Sequence, residues 1–266
     1  MKSNFVLMII SCLTFLGNVG AQPGNWAWVK GFGSSYGGEG RGESIAVDPS
    51  GNVYTTGFYS GIVDFNPGVG VFILNDSGYG DIYISKLDNS GNFVWAKSIG
   101  ASGADFGETI SLDVFGNLYI IGAFSDTVDF DPGTGIFNLI SSGDRDVFIL
   151  KLDNSGNFIW AKKMGGPGGD DGYSLTVDAS GNIYSTGAFS LTSDFDPGPG
   201  IFNLSTPGYG VFVSKLDSAG NFIWAKSLCG TDYAFGQCIA RDQSDHLYLT
   251  GFYSGTVDFN PDSLGQ

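Results

Sequence analysis

A twelve-residue phrase recurs three times in this chain of 266 residues. It reads KLDNSGNFVWAK at 86–97, KLDNSGNFIWAK at 151–162 and KLDSAGNFIWAK at 215–226. A fixed period of about 65 residues indicates a repeat architecture, in which each unit buries its apolar faces against its neighbours. Repetition therefore predicts units that share one continuous core rather than independent domains.

Each unit contains four strand candidates. In the second unit they are ETISLD (108–113), GNLYIIGAFS (116–125), DVFILKLD (146–153) and NFIWAK (157–162). Turns such as DNSGN (153–157) place Gly-Asn where a positive φ is needed, so that the chain can reverse between strands. Apolar side chains occupy both faces of these strands, which predicts sheets that are covered on both sides.

Four-stranded antiparallel sheets that are covered on both faces and repeated along a chain are typical of radially stacked blades. The sequence therefore predicts an all-β fold, a β-propeller of about four four-stranded antiparallel blades. A β-solenoid usually has shorter coils, and a string of sandwiches needs more strands per unit. The repeat units run over 25–90, 91–155, 156–219 and 220–266.

The last blade is predicted to be incomplete. No counterpart of DVFILKLD follows the second strand of the fourth unit. The chain then corresponds either to a fragment of a larger, seven-bladed propeller or to a propeller with an exposed edge strand, which favours aggregation.

One tryptophan and one glycine recur at equivalent places in every unit, and both series are assigned structural roles. They are Trp28, Trp95, Trp160 and Trp224, and Gly57, Gly122, Gly187 and Gly251. The tryptophan lies within the predicted outer strand, where so large an apolar side chain is expected to form a wedge between blades.

The pattern D-x-F-x-x-K-L-D-x-x-G-N-x-x-W, followed by I-x-x-D-x-x-G-N-x-Y-x-x-G, resembles the bacterial SBBP repeat, which is named for seven-bladed β-propellers. The resemblance covers residues 25 to about 260. It departs at Gly210-Val211, where Asp is usual, and at Asp245-His246, which replaces Gly-Asn. The resemblance implies the fold and secretion, and it carries no single activity.

The first 21 residues form a different kind of segment. Lys2 precedes a mostly apolar run over 5–16, and Ala21 ends a stretch of small residues. This pattern predicts a secretory signal peptide over 1–21 and a β-propeller repeat domain over 22–266 in a secreted or cell-surface protein. A retained membrane anchor is the alternative, although the apolar run is short for a span.

The chain is strongly acidic, with a formal net charge of −15. Such a charge repels phosphate backbones and anionic lipid surfaces. We therefore expect no nucleic-acid partner and, after removal of the signal, no membrane insertion. The partner that remains is an unknown protein or glycan ligand.

Every unit contains an Asp-Phe-[Asp/Asn]-Pro motif with two side-chain oxygens on one face. The calcium candidates are Asp64, Asn66, Asp129, Asp131, Asp194 and Asp196. Two oxygens fall short of the six to eight that calcium takes, and the sequence is also that of a type II turn. Calcium is the one cofactor that the sequence suggests, and the alternative is a structural turn without metal.

Few residues of the chain are candidates for a disulfide or for catalysis. Cys229 and Cys238 are a candidate disulfide in an exported protein, although their predicted places on different blades argue against a bond. The single histidine, His246, leaves no basis for a His-dependent triad or a zinc cluster. Glu39 and Glu43, beside one loop, leave glycoside chemistry open.

The leading functional hypothesis is a secreted or cell-surface propeller that serves as a binding or scaffolding module, with no catalytic residue assigned. The alternative is an extracellular enzyme that acts on polysaccharide or a related polymer at the axial face of the propeller. Only the fourth unit departs noticeably from the repeat pattern, through Gly236, Gln237, Cys238, Arg241 and His246.

Overall fold

The fold was analysed in a computed structural model, which describes residues 4–9, 27–33 and 39–260. Within these ranges the regular secondary structure is all β-strand, and no helix long and apolar enough to cross a membrane occurs in them. In chain order the strands are β1 (Asn4–Ile9), β2 (Trp28–Gly33), β3 (Glu39–Val47), β4 (Val53–Ser60), β5 (Ile62–Asp64), β6 (Ile73–Asn75), β7 (Asp81–Leu87), β8 (Phe93–Ile99), β9 (Phe106–Leu112), β10 (Leu118–Phe124), β11 (Thr127–Asp129), β12 (Asn138–Ile140), β13 (Asp146–Leu152), β14 (Phe158–Met164), β15 (Asp171–Val177), β16 (Ile183–Asp194), β17 (Asn203–Leu216), β18 (Phe222–Leu228), β19 (Ala234–Arg241) and β20 (Leu247–Tyr253).

Three complete antiparallel blades follow one another along the chain. Their strand orders are β3-β4-β7-β8, β9-β10-β13-β14 and β15-β16-β17-β18. The inner strands β3, β9, β15 and β19 contact each other in sequence, and each also contacts the second strand of the preceding blade where that strand is present. The four strands predicted for the second unit are therefore confirmed, and so is the β-propeller architecture.

The fourth unit supplies only half a blade among the described residues, because β19 pairs with β20 in a two-stranded sheet. The predicted incomplete last blade is thus confirmed. At the other end, β2 corresponds to an outer strand, and β1 pairs with it in antiparallel fashion. The rest of the predicted signal peptide, 1–3 and 10–21, lies outside the described residues, and its cleavage stays a prediction.

A short added hairpin links neighbouring blades at the rim. In the second unit it consists of β11 and β12, which pair over Thr127–Asp129 and Asn138–Ile140. Backbone bridges join the end of one blade's outer strand to the hairpin of the next, at Gly33 with Asp64, Gly165 with Asp194 and Gly230 with Val257. The rim segments of the first, third and fourth units are therefore bonded to the outer strand of the preceding unit.

Hydrophobic clusters fill the spaces between blades. The cluster between the first and second blades contains Ile82 and Ile84 from one side and Leu118, Phe130 and Phe148 from the other, all fully buried. A matching cluster joins the second and third blades around Phe189, Phe195 and Phe212. Each apolar face is therefore buried by the neighbouring unit.

The repeated tryptophan also lies at a blade junction. Trp95 of the first blade packs under the turn of the second blade, so that a Cβ on Gly156 would meet its ring at 3.2 Å. Trp28 and Gly91, and Trp160 and Gly220, are placed in the same way. Glycine keeps the turn thin enough for the ring, and φ at Gly156 is positive, which glycine adopts readily.

The lysine of the opening phrase belongs to a polar chain that crosses the junction between the second and third blades. Asp113 accepts hydrogen bonds from the backbone and side chain of Asn117 and from the hydroxyl of Tyr119. The ammonium of Lys151 lies 4.8 Å from the centre of the Tyr119 ring and donates to the carbonyl of Ser218 in the next blade. Lys151 of the repeated phrase therefore links the Asp113 turn of its own blade, through Tyr119, to the turn of the next blade.

Candidate functional site

A one-residue β-bulge interrupts the inner strand of every unit at the same place. The extra residues are Glu43, Glu108, Tyr173 and Gln237. A glycine precedes each bulge and pairs with the repeated glycine of the second strand. A Cβ atom added to that second-strand glycine would lie no more than 2.0 Å from a carbonyl oxygen of the inner strand. Bulges re-aim side chains and are frequent beside functional sites. The flanking positions are constant or small, whereas the bulge residue itself varies.

The residue after each bulge bonds the inner strands of adjacent blades to each other. The hydroxyl of Thr109 donates to the carbonyl of Tyr173 at 2.8 Å. Ser44 accepts a hydrogen bond from the backbone of Ile110, and Ser174 accepts one from Ile239, both at 3.2 Å. The bulges of neighbouring blades are therefore held side by side around the axis.

Charged and aromatic side chains from the first three blades meet at these bulges. We call this group the axial cluster, and it consists of Arg41, Glu43, Glu108, Arg145, Asp171 and Tyr173. Arg41 forms an ion pair with Glu43 at 2.6 Å, and Arg145 forms one with Asp171 at 3.4 Å. The Tyr173 hydroxyl lies 3.5 Å from the Asp171 carboxylate.

Burial and neighbouring carboxylates raise the pKa values of two acids in the axial cluster. Burial, followed by the neighbouring Glu43 carboxylate, raises the pKa of Glu108 to about 7, against the opposing effects of Arg41 and Arg145. Burial also raises the pKa of Asp171, although Arg145 opposes the shift. Perturbed acids that share one site with arginines are frequent at functional sites.

Aromatic rings border the axial cluster. The Arg145 guanidinium lies 5.9 Å from the centre of the Phe106 ring. Towards the fourth unit, Phe235 stacks on both Tyr209 and Phe252 at centroid distances of 5.3 and 4.9 Å. The Nε of Arg145 is buried and has no hydrogen-bond partner in the protein. The surface thus offers apolar rings, carboxylates and the partly exposed guanidinium of Arg145 to one ligand.

The predicted calcium residues form turns in the rim hairpins. Asp129 accepts hydrogen bonds from the backbone N–H groups of Asp131 and Phe137, and Asp131 accepts one from Gly133. The motifs that begin at Asp64 and Asp194 have the same bonds. No group of three or more His, Cys, Asp or Glu side chains suited to a metal occurs in the described part of the chain. Calcium at these turns stays a prediction.

The two cysteines are free thiols, so the candidate disulfide is not formed. Cys229 follows the outer strand of the third blade and is buried, with its sulfur 3.9 Å from the carbonyl of Ser205. Cys238 follows the bulge of inner strand β19, and its sulfur lies 3.9 Å from the Ser174 hydroxyl. They occupy opposite edges of neighbouring blades.

His246 takes the turn position of the usual asparagine and keeps its hydrogen bond. Its Nδ1 lies 3.0 Å from the Asp242 carboxylate, and this contact contributes most to lowering the pKa of Asp242 to about 2. Arg241 forms an ion pair with Asp245 beside it. Of the departures in the fourth unit, Gln237 is the one that occupies a bulge.

Sequence reasoning singled out Glu43 and Gln237 of the bulge residues but missed Glu108 and Tyr173. Glu39, predicted beside Glu43, lies exposed at the start of β3, paired with Ser60. The aligned column after the inner-strand glycine contains the missing signal, because it reads Glu, Glu, Tyr and Gln while its neighbours repeat. Arg145 and Asp171 come from different blades, so that only the fold brings them together.

Known proteins resemble parts of this chain. Residues 159–188 match the SBBP family, described as a beta-propeller repeat. An uncharacterized WD repeat-containing protein, L264, of Acanthamoeba polyphaga mimivirus is 26% identical over 61% of this chain and 13% of its own length. The regulatory protein FlaEY of Caulobacter vibrioides is 24% identical over 54% of the chain and 15% of its own length.

The chain therefore spans about a seventh of these relatives. A solved protein of unknown function from Bacteroides caccae is 10% identical, with a TM-score of 0.21, over 77% of this chain and 86% of its own. The matched segment runs from the outer strand of the second blade into the third, and the same pattern recurs through the blades. The resemblance to the SBBP repeat that the sequence predicted is confirmed by this match to the family of beta-propeller repeats.

Proposed function

We propose that the protein is a secreted or cell-surface binding or scaffolding module whose ligand, a glycan or a protein, contacts the axial cluster. One observation carries the proposal. The bulge position changes from Glu to Glu to Tyr to Gln around the axis, while the glycine before it is constant. Repeat proteins present their ligand contacts where the repeated scaffold allows variation.

The chemistry of the axial cluster suits a ligand with many hydroxyl or amide groups. Glu43 and Asp171 are only 18% and 13% exposed, so that a hydrogen bond to either is shielded from water. Arg145 supplies a donor, and Phe106 and Phe235 supply apolar faces. Export is supported by the signal-like segment over 1–21, and a mature chain that begins at Gln22 by mass would test it.

A glycan array probed with the purified chain tests the binding proposal. We expect binding to at least one glycan class, a loss of at least tenfold in Arg145→Ala and in Glu108→Gln, and no change in Glu39→Gln. Glu39 is the matched control, because it is an exposed acid on the same inner strand as Glu43. Binding that survives both cluster substitutions would contradict a ligand at the axial cluster.

An extracellular polysaccharide hydrolase is the second candidate, and the Glu108–Glu43 pair is the observation that favours it. An acid with a pKa near 7 beside a second carboxylate is the arrangement that glycoside hydrolysis requires. Release of new reducing ends from a bound polysaccharide, abolished in Glu108→Gln, would establish this function. Binding without release supports the module.

A further inference from the structure

Two of the blade junctions contain a pair of buried aspartates, one from each blade. Asp81 and Asp105 lie near enough across the first junction for their charges to interact, and Asp146 and Asp170 occupy the equivalent places at the second. All four side chains are at most 2% exposed. A buried carboxylate is costly unless hydrogen bonds and an opposite charge compensate it.

Hydrogen bonds stabilise the ionised form of each pair but leave one oxygen without a partner. Asp105 accepts backbone N–H groups from Ala101 and Ser125, and Asp81 accepts one from Ser77. Donors of this kind favour the charged carboxylate. The Oδ1 atoms of Asp81 and Asp146 are buried and unpartnered.

The unpartnered oxygen points into a space that a glycine keeps open. A Cβ on Gly165 would come within 2.6 Å of Asp146 Oδ1 and 2.9 Å of Asp170 Oδ2, so both acids of the second junction face one point. A Cβ on Gly100 would come within 2.4 Å of Asp81 Oδ1 at the first junction.

The two junctions differ in their positive charge. At the second, the ammonium of Lys163 lies 2.7 Å from Asp146. Ser98 holds the corresponding place at the first junction and donates a hydrogen bond to Asp81 at 3.2 Å. Among the described residues no lysine or arginine forms an ion pair with Asp81 or Asp105, and the other charges near them, Asp76 and Asp126, are also negative.

The third junction has lost the arrangement as a unit. Gly210 and Ala234 replace both aspartates, and Cys229 replaces the glycine. The buried sulfur of Cys229 lies 2.7 Å from the position of a Cβ on Gly210 and fills the space between the blades. The two acids and the glycine are thus lost together at this junction.

We propose that Asp81 and Asp105 form an interblade binding site for a hard divalent cation, for which the ammonium of Lys163 substitutes at the second junction. Calcium suits the site best because it takes oxygen ligands in flexible geometry. Two carboxylates supply part of its coordination, and hydroxyl, carbonyl or water oxygens complete it. The cation ties the first blade to the second.

Calorimetric titration and thermal unfolding of the EDTA-treated chain with CaCl2 or MgCl2 test the proposal. We expect one calcium per chain and a rise in Tm of about 3–8 °C at saturating calcium. Asp81→Asn with Asp105→Asn should abolish both effects. Asp129→Asn with Asp131→Asn, at the rim turn, should leave both unchanged and so distinguishes the two candidate sites.

A serine–lysine exchange tests the same site with all acids in place. Ser98→Lys should supply the ammonium of the second junction, remove calcium binding and give the stability of the calcium-loaded chain in EDTA. Lys163→Ser should raise the stoichiometry to two. A calcium effect that survives in Ser98→Lys would overturn the proposal. So would equal Tm values in calcium and EDTA, with a rise at acidic pH alone, because the pair would then hold a proton.

Discussion

Strands β10 and β20 occupy equivalent places in their units and have related sequences, LYIIGAF and LYLTGFY. Every residue of β10 is buried, whereas no residue of β20 is. The difference lies in their neighbours, since β10 pairs with β9 and β13, and β20 pairs only with β19. The same sequence pattern is therefore buried or exposed according to what packs beside it.

The comparison extends to the blade junctions. The cluster between the first two blades holds many aromatic and aliphatic side chains from both, whereas the cluster between the third blade and the described half blade has three buried members, Tyr184, Val213 and Ile239. In repeat proteins stability is approximately a sum of unit and nearest-neighbour terms. Equivalent substitutions in a complete blade and in the half blade should then change the free energy of unfolding by different amounts, and the difference reflects packing against the neighbouring blade.

The largest difference is expected at the phenylalanine of the rim motif. Phe130 is fully buried and Phe259 is 62% exposed. Phe130→Ala should lower the free energy of unfolding by about 3–5 kcal/mol, and Phe259→Ala by about 0.5 kcal/mol or less. Urea unfolding measures both values, and equal losses would show that the fourth unit is as well packed as the second.

The repeated tryptophan gives the next largest difference. Trp160 packs against Tyr119 and under the turn at Gly220 of the next blade, whereas Trp224 packs against Tyr184 in the smallest cluster. Trp160→Ala should cost about 3 kcal/mol, and Trp224→Ala less than half as much. Thermal unfolding tests this order, and an unchanged Tm for Trp160→Ala would indicate a surface contact rather than a wedge.

A smaller effect is expected from the lysine of the repeated phrase. Lys151 and Lys215 both lie 4.8 Å from a tyrosine ring centre, and Lys151 also bonds the Ser218 carbonyl of the following blade. Lys151→Met should cost about 1–2 kcal/mol and Lys215→Met about 0.5–1 kcal/mol. If both cost the same, the bond to the next blade adds nothing to stability.

The smallest effect is a dependence on pH in calcium-free buffer. Burial and the neighbouring acid raise the pKa values of Asp105 and Asp170 to about 6. Raised folded-state pKa values contribute stability that is present below about pH 4 and lost as pH rises through about 6. The Tm should therefore fall between pH 5 and pH 7, and Asp105→Asn with Asp170→Asn should remove part of the fall, while Glu108, whose pKa is raised to about 7, accounts for a further part. A Tm that rises over this interval would contradict these pKa values.

Much of the fold could be predicted because each repeat contains the residues that define its own turns. Asp153, Gly156 and Asn157 define a turn by their own hydrogen bonds, so that the strand boundaries on either side follow from the letters. Such features depend on residues that are close in the chain.

The axial cluster and the junction acids could not be predicted in this way. Glu108 is the extra residue of a bulge that has a counterpart in every unit. Because every unit has the same extra residue, the repeats align without a gap and the alignment does not reveal the bulge. Asp81 and Asp105 belong to different blades, and their pairing is visible only in the fold. One signal was available, because Gly210 and Ala234 replace two aspartates in the same unit.

The lysine that reaches from one blade to the turn of the next has a consequence for how such chains change in length. Both ends of that contact are encoded within each of the first three units, so a duplicated unit would contain the groups that dock it on either side. Recombination of the gene at any 65-residue interval would therefore yield a longer or shorter array whose internal boundaries are already compatible.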